Sequence, residues 1–323
     1  MNNVTVSAPG KLLLYGDHSV VHGHPCIVTA VDQRMYVTVQ ESAKRQLCVI
    51  APDVDTQKYE KAIAQLGEGT TPKSVAFIEH CYKRFLEKHP QSTGIVVTTK
   101  SDFSSLFGFG SSSAVTVAFA KALSTLYSVT LSNKELFDLC YSAVIDVQGV
   151  GSGFDIAVAI WGGTIYYVSP AKTVESVNCP DLPLIVGYTG VKADTPTLIR
   201  QVAQQKEKHP EEVEHIFQSI TQIVDQSKVC LEKQDWHKAG KLLTENQQLL
   251  RKLHVSSTVL DNLINAANLA GAYGAKLSGA GGGDCMIAFC DAAHHMRVIE
   301  AIQKAGGTHM SVSTNATGVR IEK

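Results

Sequence analysis

Residues 4–8 and 35–40 alternate apolar and polar side chains, the period-two pattern of half-buried strands. Between them, residues 9–25 are punctuated by Gly and Pro and read as too irregular for one element. Residues 74–89 set Val75, Ile78, Tyr82, Phe85 and Leu86 at helical spacing, which predicts a helix with one inward face. A β-branched strand is predicted over 94–99 and a loop over 101–110. A helix follows from Ser111, with Val115, Phe119, Ala122 and Leu126 on one stripe. Ser132 followed by Glu135 is a capping box that opens the next helix, through about residue 146. After a glycine-rich turn comes an apolar stretch ending in a strand at 164–168. Residues 173–183 are polar, proline-bearing and weakly patterned, and mark a boundary between two halves. The second half reads as a strand at 184–188, helices at 194–207, 211–232, 235–253 and 257–271, a strand at 285–290, a helix and two short strands. Strands and helices interleave without strict βαβ alternation, so the fold class is α+β rather than a doubly wound sheet.

Composition narrows the function classes. The 323 residues carry 29 basic and 30 acidic side chains, a net charge of -1, with 44% apolar residues. Without a concentrated positive field, neither nucleic acid nor a membrane surface is an expected partner, so an anionic ligand must be met by local features. No window is long and apolar enough for a membrane-spanning helix, and the first residues lack a basic stretch followed by an apolar one. The eight cysteines are scattered without CxxC spacing and read as reduced core thiols, which suits a cytoplasmic protein. The twelve histidines show no HExxH spacing, so a zinc site is not expected.

Four segments carry candidate chemistry, each weighed against the reading that glycine only permits a turn. In Leu106-Phe107-Gly108-Phe109-Gly110-Ser111-Ser112-Ser113, two glycines allow close backbone approach, and three serines stand where a helix begins. Unpaired N–H groups and the helix dipole favour an anion there. The segment is neither a GxxxxGK[ST] loop nor a dinucleotide fingerprint. Residues 276–284, KLSGAGGGD, hold four glycines in five positions, a pattern suited to a backbone nest beside a phosphate or substrate. Residues 149–155, GVGSGFD, place Asp155 just past a flexible turn, where capping the next helix is the plainer role. Residues 8–18, APGKLLLYGDH, embed Lys11 and an Asp17-His18 pair among apolar residues. A lysine there needs a carboxylate partner or a route to water.

APGKLLLYGDHSVVHG, LFGFGSSSAVTVA and KLSGAGGGDCMIA together resemble, in order and spacing, the three motifs of the GHMP kinases. The resemblance implies a two-domain fold with its active site in the interdomain cleft, residues 1–178 forming the N-terminal domain and 179–323 the C-terminal one. It implies ATP and Mg2+, a small hydroxy acid such as mevalonate as acceptor, and is compatible with a homodimer. Residue by residue, Asp155 matches the catalytic aspartate and Lys11 the lysine beside it. Residues 106–113 match the ATP phosphate loop, with Ser112 at the metal-ligating serine. Asp17, His18, Thr189 and Ala280 match positions facing the acceptor. DHSVVHG and VGYTG resemble the mevalonate kinase branch, whereas VQGVGSGFD and GGGDC resemble the phosphomevalonate kinase branch. Departures are Asp17 for a glutamate, Leu106 for a glycine, Phe109 for a leucine, and Val144 and Gln148 where a metal-binding glutamate and a histidine stand. Asp146 is the nearby carboxylate, but two residues away on a helix it should point to another face.

Overall fold

The computed structural model describes residues 3–54, 56–104, 107–180 and 182–322. Among them the strands are β1 (Asn3–Tyr15), β2 (Pro25–Ser42), β3 (Gln46–Ala51), β4 (Thr56–Ala62), β5 (Gly94–Ser101), β6 (Thr164–Val168), β7 (Thr173–Ser176), β8 (Leu184–Tyr188), β9 (Gly274–Ser278), β10 (Cys285–Phe289), β11 (Thr308–Met310) and β12 (Arg320–Ile321). The helices are α1 (Lys73–Lys88), α2 (Ser111–Leu126), α3 (Asn133–Gln148), α4 (Phe154–Trp161), α5 (Thr195–Lys208), α6 (Pro210–Glu232), α7 (Trp236–Lys252), α8 (Thr258–Leu269) and α9 (His295–Lys304). The mixed α+β class expected from the pattern is the one observed. No described helix is long and apolar enough to cross a membrane.

Two sheets organise these elements. The first runs β12-β1-β2-β5-β3-β4, with β6 pairing β2 and β7 pairing β6; only β3 and β5 are parallel. The second runs β11-β8-β10-β9, antiparallel throughout. The period-two geometry of β1 and β2 lets them serve two cores at once. Val6, Ala8, Leu13 and Val28 join α1–α4 in one buried cluster, while Leu12, Leu14, Ile27 and Val31 face the helices and sheet of the second half. The last strand, β12, returns to pair with β1 in the first sheet.

One expectation is corrected here. Residues 9–15 are not irregular: β1 continues through Pro9 and Gly10 to Tyr15, absorbing them with register shifts at Pro9/Gly10 and Leu13/Tyr15. A bulge is where a strand tolerates proline, since no ladder N–H is needed there. Past the shift, Lys11 N donates to Phe109 O at 3.0 Å, so the phosphate-loop segment lies along this part of β1. The capping box at Ser132 and Glu135 forms as expected.

Candidate active site

A cavity of about 230 Å³ lies between the two sheets. β1 contributes Lys11 and Leu13 to its wall, and the turn after it His18, Val20 and Val21. The start of α2 contributes Gly108, Gly110, Ser111 and Ser112. Val144 and Gln148 come from the end of α3, and Asp155 from the first turn of α4. From the second half come Lys192, Thr195 and Ile199 around the start of α5, Ser278, Gly279 and Ala280 after β9, and Asp284. Three sequence segments, near residues 11, 110 and 279, therefore meet although more than 260 residues separate the outer two.

Gly110 is the hinge of the arrangement. It has φ +78 and N-caps α2 with no side-chain cap, so the first N–H groups of that helix face the cavity. A Cβ there would stand 3.2 Å from Lys11 Cγ and 3.8 Å from Asp155 Cβ, so both residues lie beside the helix start. Lys11 Nζ donates to Gly108 O at 3.0 Å and lies 5.5 Å from the centre of the Phe154 ring. Asp155 does not cap α4; Gly153 holds that position. Its Oδ2 accepts from Ser113 Oγ at 2.6 Å and its Oδ1 from its neighbour's amide, Ile156 N, at 3.1 Å. Lys11 and Asp155 make no ion pair within 4.0 Å, and each charge is held by its own local partners.

The first and third segments are stitched together. Leu13 N and O both meet Ser278 Oγ, at 3.1 and 3.0 Å. Gly279 N donates to Asp17 Oδ1 at 2.7 Å, and His18 Nε2 lies 2.8 Å from Ala280 O. A carbonyl only accepts, so Nε2 carries the proton in that contact. Burial pulls the His18 pKa down, with the Ala280 carbonyl and Asp17 opposing more weakly, and the ring stays neutral near pH 7. Nδ1 is then an acceptor.

Of the residues singled out from sequence, Lys11, His18, Gly108, Gly110, Ser111, Ser112, Asp155 and Ala280 line the cavity, and five others do not. Asp17 is fully buried beneath it, 2.6 Å from Lys276 Nζ, and ties that lysine to the Gly279 backbone rather than lining the cavity. Thr189 is buried and spends its hydroxyl on Asp284 O at 2.9 Å. Ser113 orients Asp155 from behind. The Phe107 and Phe109 side chains pack away from the cavity: Phe107 is edge-on to Phe109 and Tyr188, and Phe109 is tilted against Phe103. Leu106 lies outside the described residues.

Sequence reasoning missed Lys276 and Asp284. Lys276 is fully buried, and burial pulls its pKa down while Asp17 pushes it back up. A lone lysine inside an apolar strand, GAKLS, was the available signal. Asp284, at φ 54, points its Oδ2 at Gly108: a Cβ on Gly108 would lie 2.6 Å from that oxygen. Its Oδ1 accepts from Ala193 N at 3.0 Å and stands 3.6 Å from Lys192 Nζ.

The metal expectation meets a mixed outcome. Val144 does line the cavity where a glutamate was expected. Asp146 turns away, held by Arg84 through two 2.7 Å bonds. Among the described residues no three His, Cys, Asp or Glu side chains form a cage. The donor set, a serine hydroxyl at a helix start that can receive phosphates, fits an ion that keeps its waters and takes most of its oxygens from a substrate, as Mg2+ does.

Comparison with known proteins agrees with this layout. The family description "GHMP kinases N terminal domain" matches residues 76–163, and "GHMP kinases C terminal" matches 227–308. A mevalonate kinase of Pyrococcus abyssi is 36% identical over 333 aligned positions, covering 99% of this chain and 98% of that one. Among solved structures, the Lin0012 protein from Listeria innocua superposes with a TM-score of 0.87 at 25% identity, covering 100% of both chains. The mevalonate kinase of Methanococcus jannaschii superposes at 0.80 with 23% identity, covering 100% of this chain and 99% of that one, a likeness of fold. With both halves matched and its relatives aligned end to end, this chain belongs to the GHMP kinase family and uses ATP as a substrate.

Proposed function

We propose that this enzyme transfers the γ-phosphoryl group of ATP to the terminal hydroxyl of mevalonate, giving 5-phosphomevalonate and ADP. The observation that carries the chemistry is the meeting of Lys11, Asp155 and the open start of α2 around Gly110. The acceptor assignment draws on the full-length likeness to mevalonate kinases.

Phosphoryl transfer needs positioning and charge neutralisation more than covalent help. The N–H groups at the start of α2 and the hydroxyls of Ser111 and Ser112 receive the phosphates. Lys11, anchored on Gly108 O, adds positive charge where the transferred group gains negative charge. Asp155, with Ser113 and Ile156 fixing its two oxygens, accepts the proton of the attacking hydroxyl. The acceptor oxygen bonds to phosphorus as the bond to the β-phosphate oxygen breaks, and ADP leaves with that electron pair. His18 presents Nδ1 as an acceptor for a substrate hydroxyl. Mg2+ would be held by Ser112, and when bound it neutralises phosphate charge. The domain limits 1–178 and 179–323 belong to the same proposal, supported by the second sheet, whose strands β8 to β11 all lie in the later half. So does a cytoplasmic setting, which eight buried free thiols suit.

A panel of alcohol acceptors, read by ADP release, tests the assignment. Mevalonate should stand well above homoserine and galactose; a larger rate with either of those would displace it.

A further inference from the structure

In the proposed reaction His18 presents Nδ1 to a hydroxyl of the acceptor, and the following rests on that reading. An imidazole can do so only while its ring is held in one orientation with the proton on Nε2. The backbone beneath the ring is not one that a histidine adopts by preference. His18 has φ 62 and ψ -49, and Ser19 N donates to Asp17 O at 2.8 Å across it. That is the rare γ-turn with a positive φ, centred on a residue that lines the cavity. Such a backbone persists only where its surroundings over-determine it.

One short stretch of chain supplies those constraints. Asp17, at the first corner of the turn, is fully buried; its Oδ1 accepts from Gly279 N at 2.7 Å, and its Oδ2 stands 2.6 Å from Lys276 Nζ. Lys276, fully buried in β9, also donates to Leu277 O. Ser278 Oγ bonds Leu13 N and O, which fixes the end of β9 against β1. Two residues further on, Ala280 O meets His18 Nε2 at 2.8 Å. Residues 276–280 therefore hold the peptide of the turn through Asp17 and the imidazole ring through a carbonyl. An apolar pair of similar volume commonly stabilises a core as well as a buried ion pair does. It could not direct a hydrogen bond to Gly279 N.

We propose that Asp17 and Lys276 are positioning residues: the buried pair holds the γ-turn at His18 so that Nε2 meets Ala280 O and Nδ1 faces the acceptor. Neither residue lines the cavity, so their effect on the reaction passes through His18.

A double-mutant cycle separates this role from a general one in stability. kcat/KM for mevalonate is measured at saturating ATP for the wild type, Asp17→Asn, His18→Ala and the double variant, below the unfolding temperature of each. Asp17→Asn should lose about 10- to 100-fold in the wild-type background, the cost of misplacing a group by about 1 Å, with the KM for ATP unchanged. In the His18→Ala background the same change should have no further effect. If Asp17→Asn fails to fold, Asp17→Asn combined with Lys276→Met, which removes both charges, takes its place with the same expectation. Equal losses in the two backgrounds overturn the proposal, and so does a wild-type kcat/KM in Asp17→Asn. A His18→Ala variant as active as the wild type overturns the reading of His18 itself, and this inference with it. A wild-type enzyme that ignores mevalonate but phosphorylates another alcohol overturns only the acceptor assignment, and the cycle is then read with that alcohol.

Discussion

Two of the lysine–aspartate couples in this one small region are built in opposite ways. Lys276 and Asp17 are both fully buried and touch at 2.6 Å. Lys11 and Asp155 lie beside Gly110 at the cavity, share no ion pair, and are each anchored by a neutral neighbour, Gly108 O or Ser113 Oγ. In the first couple the charges meet each other, and neither residue lines the cavity. In the second each charge is held at the cavity wall by its own neutral neighbour, the arrangement the proposed mechanism uses.

The largest effect that can test this contrast is Asp155→Asn. It keeps the shape and the Ser113 contact but removes the charge, and turnover should fall by roughly 100- to 10,000-fold, the range of general-base catalysis. ATP affinity, measured by calorimetry, should barely move. Near-normal turnover would reduce Asp155 to a first-turn acid of α4.

Lys276→Met should act on stability instead. Removing one partner of a buried pair leaves an uncompensated charge, at a cost of about 3–5 kcal/mol. Urea unfolding reads this directly, and adding Asp17→Asn should recover part of the loss. A variant as stable as the wild type would mean that water reaches Asp17.

The smallest effect is expected from Asp146→Ala. Its bonds to Arg84 are at the surface, where such pairs contribute at most about 1 kcal/mol. The free magnesium needed for half-maximal activity should not change, because the side chain points away from the cavity that Val144 faces. A strong rise with unchanged stability would show that the end of α3 unwinds and delivers that carboxylate to the metal.

The phosphate-loop segment was legible because its signal is local: glycines, serines and a helical stripe beginning at Ser111 within a dozen residues. The helices of the second half were legible for the same reason, and α5 to α7 start and stop close to the expected points. The course of β1 past Pro9 was not, because what keeps it extended is pairing with β2 and the Phe109 carbonyl, about 100 residues away. The place of Asp17 beneath the cavity wall is not legible either, for a related reason. Its neighbour His18 does face the cavity, but Asp17 faces a lysine 259 positions later, and no periodicity reports on such a pair. Lys276 went unnoticed because glycine richness drew attention to the segment's backbone and away from its one buried charge.

The most direct test of the central claim is a comparison of kcat/KM for mevalonate and for 5-phosphomevalonate with the same enzyme at saturating ATP. Among the described residues the cavity wall holds two lysines, one of them bonded to Gly108 O, which equips it poorly for a second phosphate on the acceptor. Mevalonate should therefore give the higher specificity constant, and 5-phosphomevalonate should be a poor substrate. A higher constant for 5-phosphomevalonate would contradict the account.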